Sequence, residues 1–160
     1  MKSILLVEDS KFLRLASERA MMRAGYSVVS IDDGEHALRA AQEQIQDLIL
    51  LDMLLPKLGV PEVLRALKSD PVTARIPVVV LSSLSQKDEA KLKKDGATAY
   101  FEKSKLHLDT DSLALLQIVK EALAQTLFLR SGSCRRGYRG VQEHRRFPSG
   151  GEEQNVRTGY

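Results

Sequence analysis

The chain has 160 residues, 43% of them apolar, with few aromatics and no Trp, which allows one aliphatic-cored domain and a modest extra segment. Its formal net charge of +3 is uneven: residues 1–129 hold 17 Lys and Arg against 18 Asp and Glu, whereas residues 130–160 hold 7 Arg against 3 Glu, so the basic balance belongs to the tail. The single cysteine, Cys134, excludes an internal disulfide and a cysteine-based zinc site, and no apolar run approaches the roughly 18–20 residues of a membrane helix.

Short apolar runs alternate with helix-like segments. ILLV (4–7) is followed by Ser10 and by Phe12, Leu13, Ala16, Ala20 and Met21, which mark one helix face, with Gly25 as a natural stop. YSVVSI (26–31) reads as a strand and DDGEHALRAAQEQ (32–44) as a turn and a helix. LILL (48–51) predicts the third strand. PEVLRALKSD (61–70) predicts a helix with Pro61 in its first turn, where a missing N–H costs nothing. IPVVVLSS (76–83) is the fourth and most apolar strand, QKDEAKLKKDG (86–96) a short charged helix, and TAYFE (98–102) a fifth strand. DSLALLQIVKEALAQTL (111–127) is an amphipathic helix.

Five strands, each followed by a helix, with uninterrupted apolar runs in three of them, predict strands buried on both faces. The connections have the dozen or so residues that β-α-β crossovers need. The expected fold is α/β, a doubly wound five-stranded parallel sheet, with the domain at residues 1–129. From Ser131 onward Gly, Ser, Arg and Glu follow no sustained period, so residues 130–160 are expected to form a basic, disordered tail. That tail lacks the length and periodicity of a DNA-binding domain, and direct DNA binding is not expected. The N-terminus reaches Glu8 and Asp9 after four apolar residues, too short a run for a signal-peptide core, and a reducing cytoplasmic setting is expected.

In an open parallel sheet, ligands bind beyond the carboxyl ends of the strands. Glu8 and Asp9 follow the first strand, Asp52 the third, Ser82 and Ser83 end the fourth, and Lys103 follows the fifth. Taken singly, each has an ordinary explanation as a cap, a turn or a surface charge. Jointly they bring three carboxylates, a hydroxyl and an ammonium to one edge. Close carboxylates repel one another, and an all-oxygen donor set suits Mg²⁺. A carboxylate can also act as a nucleophile and form an acyl phosphate, with Mg²⁺, Lys and Ser neutralising the phosphoryl oxygens. Asp52, at the end of a run that looks fully buried, is the candidate.

These segments carry a family likeness. ILLVEDS, LILLDMLLPKLG, IPVVVLSS and DGATAYFEK, in that order, resemble the four motifs of the receiver domain of bacterial two-component response regulators, over residues 2–127. The resemblance implies a flavodoxin-like (βα)5 three-layer sandwich. It implies that Asp52 accepts a phosphoryl group from a sensor histidine kinase or phosphotransfer protein. Asp9 and Asp52 would bind Mg²⁺, with the backbone carbonyl of Leu54, and Glu8 would act mainly through water. Ser82 and Lys103 would each bind a phosphoryl oxygen, and Tyr100 would be the switch aromatic. A downstream protein would read the face built from residues 86–127, and a phosphorylation-dependent dimer is a further partner that the resemblance allows. The implied role is a stand-alone phosphoreceiver, a signalling protein rather than an enzyme.

Two departures stand out. Ser104 follows Lys103 where the family usually has a proline with a cis bond, and a non-proline cis bond costs ~2.5–4 kcal/mol. The loop before the fifth strand is about one residue short against the family pattern. Ser104 keeps open the alternative of a receiver-like binding module that works without phosphorylation. An aspartyl phosphatase of the haloacid dehalogenase type needs a second Asp two residues after the nucleophile, where this chain has Leu54. No glycine-rich nucleotide loop follows any strand.

Overall fold

The computed structural model describes residues 1–83, 89–103 and 113–131, the last five by their backbone alone. The elements alternate strictly. β1 spans Ser3–Val7, α1 Lys11–Arg23, β2 Ser27–Ile31, α2 Gly34–Glu43, β3 Leu48–Asp52 and α3 Val60–Ser69. β4 spans Val78–Ser82, α4 Glu89–Asp95, β5 Ala99–Glu102 and α5 Leu113–Ser131. All pairings are parallel, in the order β2-β1-β3-β4-β5. This is the flavodoxin-like doubly wound fold that the alternation predicts.

The uninterrupted apolar strands have a direct cause. Neighbouring side chains on a strand point to opposite faces, and both faces here are covered. Leu5, Val7, Ile49, Leu51, Val78 and Val80 join residues of α2, α3 and α4 in one core. Ile4, Leu6, Leu48, Leu50, Val79 and Leu81 join Met21 of α1 and Leu115, Val119 and Ala122 of α5 in the other. β3 lies in the middle of the sheet and is buried along its whole length, Asp52 included.

Local chemistry sets the helix ends. Gly25, at φ 89°, terminates α1: the Tyr26 N–H donates to the Met21 carbonyl and the Gly25 N–H to that of Met22. This is the Schellman arrangement that a left-handed glycine permits. Pro61 lies in the first turn of α3 as expected. The α2 helix starts at Gly34, two residues into the predicted turn and helix, because the Asp33 carboxylate accepts from the His36 N–H and caps it. The α5 helix runs to Ser131, four residues beyond its predicted end at 127, since no Gly or Pro interrupts the chain before Gly132. The start of the predicted fourth helix, the Lys103–Ser104 bond and the tail beyond Ser131 lie outside the described residues. Among the described residues, no helix is long and apolar enough to cross a membrane.

Candidate functional site

The register of the sheet assembles the site. Val7 pairs with Leu51, so Glu8 and Asp52 follow side by side on adjacent strands. Asp52 pairs with Leu81, which puts Ser82 one step beyond on β4. Ser82 pairs with Glu102, so Lys103 is the first residue past β5 on the same edge. The order β2-β1-β3 reverses direction between β1 and β3, and a crevice opens at such a switch point. The acidic residues lie there.

Glu8 and Asp52 are both 3% exposed, and Ser82 is fully buried. One ammonium serves both acids: Lys103 Nζ lies 2.6 Å from Glu8 Oε2 and 2.8 Å from Asp52 Oδ1. With Ser104 following it in place of a proline, Lys103 still reaches both carboxylates. Asp9 is exposed, on the solvent side of the pair. One carboxylate oxygen from each of Glu8, Asp9 and Asp52 lies within 4.8 Å of the others. Three hard oxygen donors from a partly open cleft fit Mg²⁺, which keeps several of its waters.

Backbone contacts hold the acidic turn in place. The Glu8 N–H donates to the Ile31 carbonyl at 2.9 Å, extending the β1–β2 ladder by one residue. Arg14, one turn into α1, donates from Nη1 to the Glu8 carbonyl at 2.8 Å. The Leu54 N–H, at the start of the loop after β3, points to Asp52 Oδ1 at 3.4 Å. Tyr100 is half-buried on β5, opposite Val80, and packs on the core shared with α2, α3 and α4.

The electrostatics follow from burial and proximity. Burial, helped by the charge of Asp52, pushes the Glu8 carboxyl up, although the bond from Lys103 pulls the other way. Burial also works against the Lys103 ammonium, but the bonds and charges of Asp52 and Glu8 together outweigh it and raise its pKa. At neutral pH Lys103 is a fixed cation between two acids.

The sequence-predicted residues Glu8, Asp52, Ser82 and Lys103 thus converge, with Asp9 at the rim and Leu54 in the adjoining loop. One feature escaped the sequence reading. Asp33, 5% exposed, binds Lys57 Nζ at 3.0 Å and His36 Nδ1 at 2.6 Å. The His36 N–H, the Lys57 ammonium and the His36 ring hold its carboxyl well below the usual carboxylate range. No periodicity links residues 33 and 57, which lie in two different loops.

Comparison with known proteins agrees with this geometry. The model of the response regulator receiver domain matches residues 4–113. A gliding motility regulatory protein of Myxococcus xanthus is 42% identical over 114 residues, 70% of this chain but 14% of that protein. The polar-differentiation response regulator DivK of Brucella anthropi is 33% identical over 103 residues, covering 64% of this chain and 84% of DivK. Among solved structures, a chemotaxis protein of Vibrio cholerae superposes with a TM-score of 0.68 at 25% identity, over 76% of this chain and 98% of that one. The receiver domain of a sensor histidine kinase from Pseudomonas aeruginosa PAO1, with a magnesium ion coordinated in its active-site cleft, superposes with a TM-score of 0.66 at 28% identity. It covers 77% of this chain and 98% of that one. The acidic crevice, the bridging lysine and these matches agree: the chain belongs to the response regulator receiver domain family, the phosphoacceptors of two-component signalling.

Proposed function

We propose that this chain accepts a phosphoryl group on Asp52 from the phosphohistidine of a sensor kinase or phosphotransfer protein, in a Mg²⁺-dependent reaction, and signals through contact with a partner protein. The observation that carries this reading is the single ammonium of Lys103 held between Glu8 and Asp52, beside the buried Ser82. An Asp52 oxygen attacks phosphorus, the new O–P bond forms as the P–N bond breaks, and the imidazole leaves with the electron pair and takes up a proton. Lys103 Nζ lies 2.8 Å from Asp52 Oδ1 before the attack. It then pairs with one phosphoryl oxygen while the Ser82 hydroxyl donates to another. Mg²⁺, held by Asp9, Asp52 and the Leu54 carbonyl with Glu8 acting through water, would supply positive charge against the phosphoryl oxygens.

The output follows from the sheet. Drawing Ser82 toward the new anion shifts the end of β4, which is paired with the β5 strand that carries Tyr100. A dianionic group with strong acceptor oxygens biases this packed edge toward a second arrangement. A partner would read the face of α4, β5 and α5, about 86–127. The match over 84% of DivK supports a receiver that acts as a single unit.

The test is intact-mass spectrometry after incubation with acetyl phosphate, with and without Mg²⁺. A gain of one phosphoryl group that requires Mg²⁺ and vanishes in Asp52→Ala is expected. Absence of any gain under conditions that modify another receiver would favour a binding module that works unphosphorylated.

A further inference from the structure

Seven residues, 53–59, separate the phosphoacceptor from α3 by way of an unusual turn, and its geometry assigns a role to a residue outside the acidic crevice. We propose that Lys57, paired with Asp33, is a positioning residue for Asp52: it clamps the β3–α3 loop to the amino end of α2 and so fixes the carboxylate at the other end of that loop.

The loop is held at both ends. At its start, the Leu54 N–H contacts Asp52 Oδ1 at 3.4 Å, so a shift of the loop moves a donor that faces the carboxylate. At its far end Lys57 adopts φ 69°, the left-handed region that a lysine enters only when its surroundings hold it there. The Leu58 N–H donates to the Pro56 carbonyl at 2.8 Å and closes the turn around Lys57. The Lys57 ammonium reaches Asp33 Oδ2 at 3.0 Å. Asp33 is a firm anchor, because it is buried and already caps α2 through the His36 N–H at 2.9 Å. His36 Nδ1 contacts the same Oδ2 at 2.6 Å.

The junction is built for close approach. A side chain on Gly34, the first residue of α2, would place its Cβ 2.9 Å from Val63 Cγ2 and 3.1 Å from both the Leu58 Cβ and the Leu58 carbonyl oxygen. Glycine therefore lets the loop seat directly on the helix end. Within the loop, Met53, Leu55 and Leu58 pack on the core beneath α2 and α3. The Lys57 side chain is 55% exposed, and an ion pair with one partner so wet adds little to global stability. Its contribution is the placement of the loop.

This inference rests on the reading of Asp52 as a Mg²⁺-assisted phosphoacceptor, and the test separates the two. The full chain is compared with Lys57→Met, Lys57→Arg, Asp33→Asn and the double variant Asp33→Asn/Lys57→Met. The measurements are amide hydrogen exchange at Leu54 and Leu58, Mg²⁺ dissociation constants by calorimetry, thermal midpoints, and acetyl phosphate labelling. In Lys57→Met, exchange at both amides is expected to speed up and Mg²⁺ binding to weaken, each about fivefold, with the thermal midpoint close to wild type. Lys57→Arg should restore both to within about twofold of wild type, and adding Asp33→Asn to Lys57→Met should weaken Mg²⁺ binding no further. Exchange and Mg²⁺ affinity within about twofold of wild type in Lys57→Met would overturn the clamp, as would equal losses in Lys57→Arg. A wild type that binds Mg²⁺ but takes no phosphoryl group, with a loosened loop in Lys57→Met, would instead refute the phosphoacceptor reading and leave the clamp standing.

Discussion

Lys103→Met is expected to destabilise the metal-free domain by about 3 kcal/mol and to abolish stable phosphoryl uptake. The variant keeps most of the stem but removes the only positive charge within 3 Å of either buried acid that the described ion pairs show. Glu8 and Asp52 would then face each other across the end of β1 and β3 with no cation between them. Removing one member of a buried charge set costs more than the set contributes, because the remaining charges stay desolvated. Asp52→Asn makes the contrast. It leaves Lys103 paired with Glu8 and relieves the repulsion, so its stability should equal or exceed that of the wild type while labelling is lost. Urea unfolding of both variants in EDTA checks the pair. Equal stability of Lys103→Met and wild type would show that the bridge is immaterial. The raised pKa of Lys103 also fixes the pH window. Its contribution is fully present below the ordinary lysine pKa and is lost only as pH rises through the higher folded value, in strongly alkaline solution.

Mg²⁺ is expected to stabilise the folded chain by ~2.7 kcal/mol at a free concentration ~100 times its dissociation constant, and to lose most of that effect in Asp52→Asn. The pH dependence carries a definite sign. Burial raises the Glu8 carboxyl, so the metal-free fold binds this proton more tightly than the unfolded chain does. Metal-free stability should therefore fall as pH rises from the ordinary carboxylate range through the raised Glu8 value. Mg²⁺ competes with the same proton, so its affinity should rise across that window and level off above it. Thermal melts with and without Mg²⁺ at several pH values test this. A Mg²⁺ effect that weakens with rising pH would contradict the assignment of Glu8 to the cation site.

Most of the fold was legible in the sequence for a simple reason. Central strands of a covered parallel sheet cannot carry polar residues on either face, so ILLV, LILL and the VVVL of β4 announce themselves. Polar residues return only where these strands end, which is why Glu8, Asp52, Ser82 and Lys103 could be picked out together. What the pattern leaves open is how charges are shared within the cluster. That one lysine serves both Glu8 and Asp52, while Asp9 stays exposed, depends on strand register and side-chain reach. The Asp33–Lys57 pair was illegible for a different reason. It joins two irregular loops 24 residues apart, and loop geometry has no period to read. The end of α5 was set too early because an apolar-polar pattern says less about a helix end than the absence of Gly and Pro before Gly132.

The most direct measurement is to locate the phosphoryl group itself. The full chain is incubated with acetyl phosphate and Mg²⁺, reduced with borohydride, which converts an acyl phosphate on aspartate to homoserine, and mapped by peptide mass spectrometry. Homoserine at position 52, dependent on Mg²⁺ and absent when the phosphodonor is omitted, is the result the account predicts. Reduction at another carboxylate, or none at position 52 in a sample whose intact mass shows a phosphoryl group, would contradict it.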